Sequence, residues 1–120
     1  MVSSGVDIIE ISRVKKALSR WGERFLLRVF TPDELRLCHG RMPELAVRFA
    51  GKEAVSKALG TGMRGVAWRE IEILSDPRGK PIVHLHNRAK MRAEEISLNT
   101  FAISLSHTDD LAIAFVVATT

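Results

Sequence analysis

The chain has 120 residues, 46% hydrophobic and 27% charged, enough for one domain with a real core and too few for two. No apolar run approaches the ~18 residues of a membrane span, no basic stretch leads into an apolar one at the start, so a signal peptide is not expected, and the lone Cys38 cannot form an internal disulfide, which suits a reducing cytoplasm. A formal charge of +4 favours an acidic partner, whether nucleic acid, a phosphorylated ligand or an acidic protein, without choosing among them.

No repeat, low-complexity stretch or linker divides the sequence, so a single domain over residues 1–120 is expected. The alternation and Ile/Val content of "SGVDIIEI" predict a first strand over about Val2 to Ile9. In "SRVKKALSRWGERFLLRVF", Val14, Ala17, Leu18, Trp21, Phe25 and Val29 recur at helical spacing, with Ser12 placed to cap the start. "TPDE" has Thr31 as N-cap, Pro32 at the first helical position and Glu34 three residues after the cap, a capping box that opens a short second helix. Pro43 opens a third helix, which Gly60 ends. Beyond Gly62, "WREIEIL" and "PIVHLH" read as two strands joined by the hairpin loop "SDPRGK". "NRAKMRAEEISL" is a helix capped by Asn87, with Ala89, Ala93 and Ile96 on one side. "TFAISLSH" and "LAIAFVVAT" are the last strands, turned at "TDD". The order strand, three helices, hairpin, helix, hairpin predicts an α+β domain with a mostly antiparallel sheet packed with helices.

The third helix carries charge where a covered helix should carry leucine. At about 100° per residue, Ala46, Phe49, Ala50, Glu53 and Lys57 fall within roughly a quarter turn. Most of the circumference is apolar or small, so the helix is expected to be well covered, and a carboxylate there needs a cation. One partner for Glu53 is Lys57, four residues on. Asp7 opens a second possibility. It shares a strand face with Ile9 and also needs a partner, either a lysine or arginine, or a cation held jointly with Glu53. Two carboxylates without nearby cysteine suit Mg²⁺, which completes its shell with water and phosphate oxygens. Gly60-Thr61-Gly62 lets a backbone approach a ligand closely. The helix ends there, so its dipole opposes an anion, and Arg48, Lys52 and Lys57 must do most of the attracting. His107 closes "SLSH" on the face of Phe101, Ile103 and Leu105, where it can meet phosphate or take a proton near neutral pH. His39, His84 and His86 have no zinc-ligand spacing with Cys38.

Three stretches, "GVDIIEISRV", "RFAGKEAVSKALGTG" and "SLSH", give the chain a close resemblance to the short bacterial holo-acyl-carrier-protein synthases of the 4′-phosphopantetheinyl transferase superfamily. They span nearly the whole chain in the family's order, and the second is the specific one. The resemblance implies that fold and a reaction: transfer of the 4′-phosphopantetheine arm of coenzyme A to a serine of apo acyl-carrier protein, releasing adenosine 3′,5′-bisphosphate, in support of fatty acid biosynthesis. It implies that Asp7 and Glu53 hold Mg²⁺. Arg48, Lys52, Lys57, Gly60, Gly62 and His107 line the coenzyme A site, and Glu53, Lys57 and His107 serve the chemistry. Arg13 contacts the carrier protein, and Arg20 and Arg24 continue its stripe. Glu53, His107 and a water on the metal are the candidate bases. Some family members carry Asp directly after the motif histidine; here that position is Thr108.

The resemblance also implies a cytoplasmic homotrimer with active sites between subunits. The last strand pair is apolar or small on both faces, which a second copy of the chain could cover, as could helices of the same chain. Membrane and nucleic-acid partners are not expected. A basic nucleic-acid-binding module is the competing function, but the basic residues lack interleaved exposed aromatics and no reader motif is present. A subunit that kept the fold and lost the chemistry is opposed by the intact Asp7 and Glu53.

Overall fold

In the computed structural model, which describes residues 1–120, the chain runs β1 (Val2–Glu10), α1 (Ile11–Trp21), α2 (Glu23–Val29), α3 (Pro32–Cys38), α4 (Met42–Ala58), β2 (Ile71–Ser75), β3 (Pro81–Leu85), α5 (Asn87–Glu95), β4 (Thr100–His107) and β5 (Leu111–Thr119). Single 3₁₀ turns at Gly62–Arg64 and Trp68–Glu70 precede β2. β1 pairs antiparallel with β5 along its whole length, from Val2 opposite Thr119 to Glu10 opposite Leu111. β4 pairs with the other edge of β5, so the main sheet has the order β1-β5-β4. β2 and β3 form a separate antiparallel hairpin. The expected α+β class with antiparallel strands is thus what the chain adopts. No helix is long and apolar enough to cross a membrane.

α4 lies across one face of the main sheet, with the β2–β3 hairpin against its other side. Its packing surface is made of small residues. Ala50, Ala54 and Ala58 on the helix and Ala112, Ala114 and Ala118 on β5 are all buried. The approach to β1 is closer still, because a Cβ added at Gly5 would collide with the Ala54 carbonyl oxygen. The expected well-covered helix is therefore found, enclosed around most of its circumference.

Five local expectations are corrected. The helical spacing from Val14 to Val29 belongs to two helices broken at Gly22, whose φ of 59° and ψ of −137° suit glycine and almost nothing else. α1 starts at Ile11, and Ser12 makes no capping hydrogen bond; Trp21, expected inward, is half exposed with Arg20 5.0 Å over its ring. Asn87 does not cap α5 either: it is the first helical residue, at φ 48°, and that end is met instead by Glu70, whose Oε2 accepts from the Arg88 amide at 2.9 Å. Trp68–Glu70 is a 3₁₀ turn rather than the start of a strand.

The capping box at α3 forms, and it does more than cap. Thr31 Oγ1 accepts from the Glu34 amide, and Glu34 Oε1 accepts from the Thr31 amide at 2.9 Å. The same carboxylate then accepts from Lys52 Nζ at 2.7 Å and from the Ile73 amide at 2.8 Å. Lys52 spends its remaining donors on the carbonyls of Ile71 (2.6 Å) and Trp68 (3.1 Å). Both side chains are 0% exposed. Burial pulls the Lys52 ammonium below the usual lysine range, and Glu34 holds against part of that shift. Nearby, the Thr31 hydroxyl donates to Glu72, which also faces His86 Nε2 at 3.1 Å.

Removing one partner of such a pair leaves an uncompensated buried charge. Lys52→Met is expected to lower unfolding free energy by about 3–5 kcal/mol, measured by urea denaturation. The double variant Glu34→Leu, Lys52→Met is expected to recover part of that loss.

Candidate active site

Asp7 sits near the middle of β1, where the strand's alternation turns it towards α4. Glu53 and Lys57 stand one turn apart on the side of α4 that faces β1. Together they border a cleft of about 390 Å³ whose other walls are Ile8, Ile9, Arg13, Val14, Ala17, Phe25 and Phe49. Lys57 Nζ reaches across to β1, donating to the Val6 carbonyl at 2.8 Å and to Asp7 Oδ1 at 3.2 Å. The pairing of Asp7 with a lysine, one of the two partners expected for it, is therefore present. Lys57 makes its ion pair with Asp7 rather than with Glu53, on which its charge acts from a longer distance. Burial, and next the charge of Asp7, push the Glu53 carboxyl above the usual glutamate range, with Lys57 pulling the other way. Two carboxylates thus share one lysine, and they are the residues that could hold a metal ion. No cluster of three or more His, Cys, Asp or Glu side chains exists, so any ion here would take most of its ligands from water or substrate.

The glycine loop lies one turn beyond Lys57, outside the wall of the cleft. Gly60 and Gly62 both have positive φ, 76° and 57°. The Thr61 amide bonds back to Ser56 O, and the Thr61 hydroxyl donates to Gly62 O at 2.8 Å.

Two expected ligand cations are not in this cleft. The Lys52 ammonium is enclosed with Glu34 and is not available to a phosphate. Arg48 is 3% exposed and points the other way: its Nε donates to Ile73 O at 2.9 Å and its Nη2 to Ser75 Oγ at 3.1 Å, with Glu44 at 3.4 Å from Nη1. Arg48 instead borders a second, smaller cavity of about 160 Å³ together with Glu44, Val47, Ser75, Gly79, Pro81, Leu105 and His107. His107 is exposed at the end of β4, opposite Ala112 of β5, which in turn faces Ile9 of β1. The sheet's middle strand lies between His107 on β4 and Asp7 on β1, and Arg48 leaves α4 on a different side from Glu53 and Lys57.

Arg13 borders the cleft directly. Arg24 belongs to an adjoining apolar groove of about 560 Å³, walled by Ala17, Trp21, Phe25, Arg28, Val29, Phe49 and Trp68. Phe25 and Phe49 are common to groove and cleft, with Phe49 stacked on Trp68 at 4.7 Å between centroids. The groove was not foreseen. Trp68 comes to it from a turn 19 residues after Phe49 in sequence, which no helical spacing links.

The description of the 4′-phosphopantetheinyl transferase superfamily matches residues 3–116. A holo-[acyl-carrier-protein] synthase from Herpetosiphon aurantiacus is 49% identical, with 98% of each chain covered. The crystal structure of the synthase from Neisseria meningitidis superposes with a TM-score of 0.92 at 37% identity, covering 100% of both chains. That of the Helicobacter pylori synthase in complex with coenzyme A gives 0.88 at 33% identity, covering 99% of this chain and 100% of the other. The chain belongs to the 4′-phosphopantetheinyl transferase superfamily. Within it, the chain is a transferase of the holo-[acyl-carrier-protein] synthase type.

The raised Glu53 carboxyl has a measurable consequence. The folded protein holds that proton more tightly than the unfolded chain, so the contribution to stability is present at low pH. It is lost as pH rises from the usual glutamate value through the raised one. In the presence of a chelator, Glu53→Gln is therefore expected to melt above the unmodified protein near neutral pH. The difference should vanish below pH of about 4, where both forms are uncharged at this position.

Proposed function

We propose that the chain transfers the 4′-phosphopantetheine arm of coenzyme A to a serine hydroxyl of an apo acyl-carrier protein, with Mg²⁺ as its metal. The work would be done in the cytoplasm, in support of fatty acid biosynthesis. The serine oxygen bonds to the phosphorus that bears the arm. The bond from that phosphorus to the bridging oxygen breaks, and adenosine 3′,5′-bisphosphate leaves with the electron pair. The observation that carries this reading is the Asp7–Glu53 pair over one cleft, with Lys57 to Asp7 the only ion pair it makes.

The donor set fits the metal. Two carboxylate oxygens, no sulfur and an open cleft suit a hard ion that keeps water and phosphate ligands. When bound, Mg²⁺ would neutralise pyrophosphate charge and polarise the attacked phosphorus. Asp7 and Glu53 hold the ion. Lys57, half exposed beside them, meets a phosphate oxygen and stabilises the charge that develops there. Glu53, His107 of a neighbouring chain and a water in the cleft are the groups that could receive the serine proton. Arg13 at the cleft, Arg20 on the surface and Arg24 at the apolar groove line the approach of an acidic carrier protein, whose association they would steer.

The same arrangement supports reading the protein as a homotrimer with shared sites. Val6 and Ile8 of β1 are 50% and 60% exposed, and Leu111, Ile113 and Phe115 of β5 lie beside them on the outer sheet face. No helix of the chain covers that face, which favours a second copy over helices of the same chain. His107 and Arg48 do not border the cleft of their own chain, but a neighbour could present the exposed His107 to it.

Incubation with coenzyme A, Mg²⁺ and an apo carrier, followed by mass spectrometry, is expected to show the carrier gaining one phosphopantetheine group. Asp7→Ala and Glu53→Ala are each expected to lower kcat by about 10²–10³, the scale for losing a group that stabilises developing charge, with melting temperature kept. Near-normal turnover of both at low Mg²⁺ would overturn the metal assignment.

Light scattering is expected to give three times the chain mass. Mixing inactive Glu53→Ala and His107→Ala chains in equal amounts should restore about a quarter of the activity, the share of sites that draw one intact residue from each neighbour. Failed complementation in a demonstrated trimer would place each site within one chain.

A further inference from the structure

The end of α4 presents a problem for any phosphorylated ligand. A helix C-terminus carries partial negative charge and leaves carbonyls without intrahelical donors. The loop that would receive the ligand, Leu59 to Gly62, sits at that terminus. One side chain from another element meets it. Arg92, on the last turn of α5, sends Nε to the Leu59 carbonyl at 2.9 Å. Its Nη2 lies 3.5 Å from where a Gly60 Cβ would stand, beside the left-handed residue of the loop. Neither terminal nitrogen makes a hydrogen bond within the chain, and the nearest carboxylate, Glu95, is an exposed neighbour at 3.6 Å from Nη1.

We propose that Arg92 is a positioning residue for phosphoryl transfer: it clamps the Leu59–Gly62 loop to α5 and sets a fixed positive charge against the negative end of α4. The Nε bond satisfies a terminal carbonyl in the manner of a C-terminal arginine cap. The planar fork then leaves its two outer nitrogens beside Gly60. The loop keeps its left-handed glycines in place before ligand arrives, and the ligand's charge meets a terminus already offset. This rests on the assignment of the cleft and its glycine loop to coenzyme A.

The test uses the full chain and coenzyme A itself. Arg92→Gln is expected to weaken coenzyme A binding by calorimetry about tenfold, consistent with loss of one charge-assisted hydrogen bond. KM for coenzyme A should rise by a similar factor, while KM for the carrier stays near its original value. Amide exchange at Gly60–Gly62 should accelerate. Arg92→Lys, which keeps the charge without the fork, should recover part of the affinity and keeps the test usable if the glutamine variant folds poorly. Unchanged coenzyme A affinity in both variants would overturn the role of Arg92. So would equal rises in both KM values that track a fall in melting temperature, since those mark a structural defect only. Lys57→Ala separates the two levels. If Lys57→Ala weakens binding and the Arg92 variants do not, Arg92 alone is misassigned. If none of the three changes affinity, the cleft assignment fails and the proposal with it.

Discussion

The ion pair between Lys52 and Glu34 is the constraint on which the other parts of the molecule turn. Five hydrogen bonds converge on two fully buried side chains, and they tie α3, α4, the 3₁₀ turn at Trp68 and the first strand of the hairpin to one point. A buried pair of this kind adds little net stability compared with well-packed apolar residues. Its value lies in direction. An ammonium that must satisfy three oxygens at once admits one rotation of α4 about its axis. That rotation puts Glu53, the next residue along, towards β1. The surface that α4 turns to the main sheet, with Ala50, Ala54 and Ala58, does little to set its rotation by shape, and the polar contact adds that constraint.

Much of this was legible in sequence, and the boundary of what was legible has physical causes. Strand alternation, the Thr31 capping box, the hairpin turn and the small-residue character of α4 are local signals, and each names its own element. The Asp7 face followed from a period of two. The break at Gly22 was hidden because apolar spacing continues across it: Phe25 and Val29 fall where an unbroken helix would also put them. Asn87 was misplaced because a good capping residue is no guide when the preceding strand runs directly into the helix.

The lysines show the sharper limit. Lys52 and Lys57 belong to one motif, yet five residues turn a helix by about 140°, so they face different neighbours. Helical geometry could have separated them, since Arg48 and Lys52 share one side and Glu53 and Lys57 another. It could not have said which side meets the hairpin and which the cleft. That depended on Glu34, whose role as a capping residue was visible and whose second role as a counterion was not. The division of the site into two cavities towards opposite edges of one sheet face was equally beyond local signals, because it rests on β5 lying between β1 and β4.

The pairing of β1 with β5 bears on how the protein is made. β1 has, as its only hydrogen-bonded neighbour, the nine-residue β5, so its ladder cannot close until every element between the two has been synthesised. Contacts of such sequence separation form late and slow folding, and an unpaired apolar strand is a hazard while it waits. Asp7 rides on that strand. A nascent chain can build the helices and the hairpin early, but one of the two carboxylates acquires its place only when the tail arrives. A chain truncated in its final strand would lose that carboxylate's position first, and an unfinished copy would be inert as a catalyst.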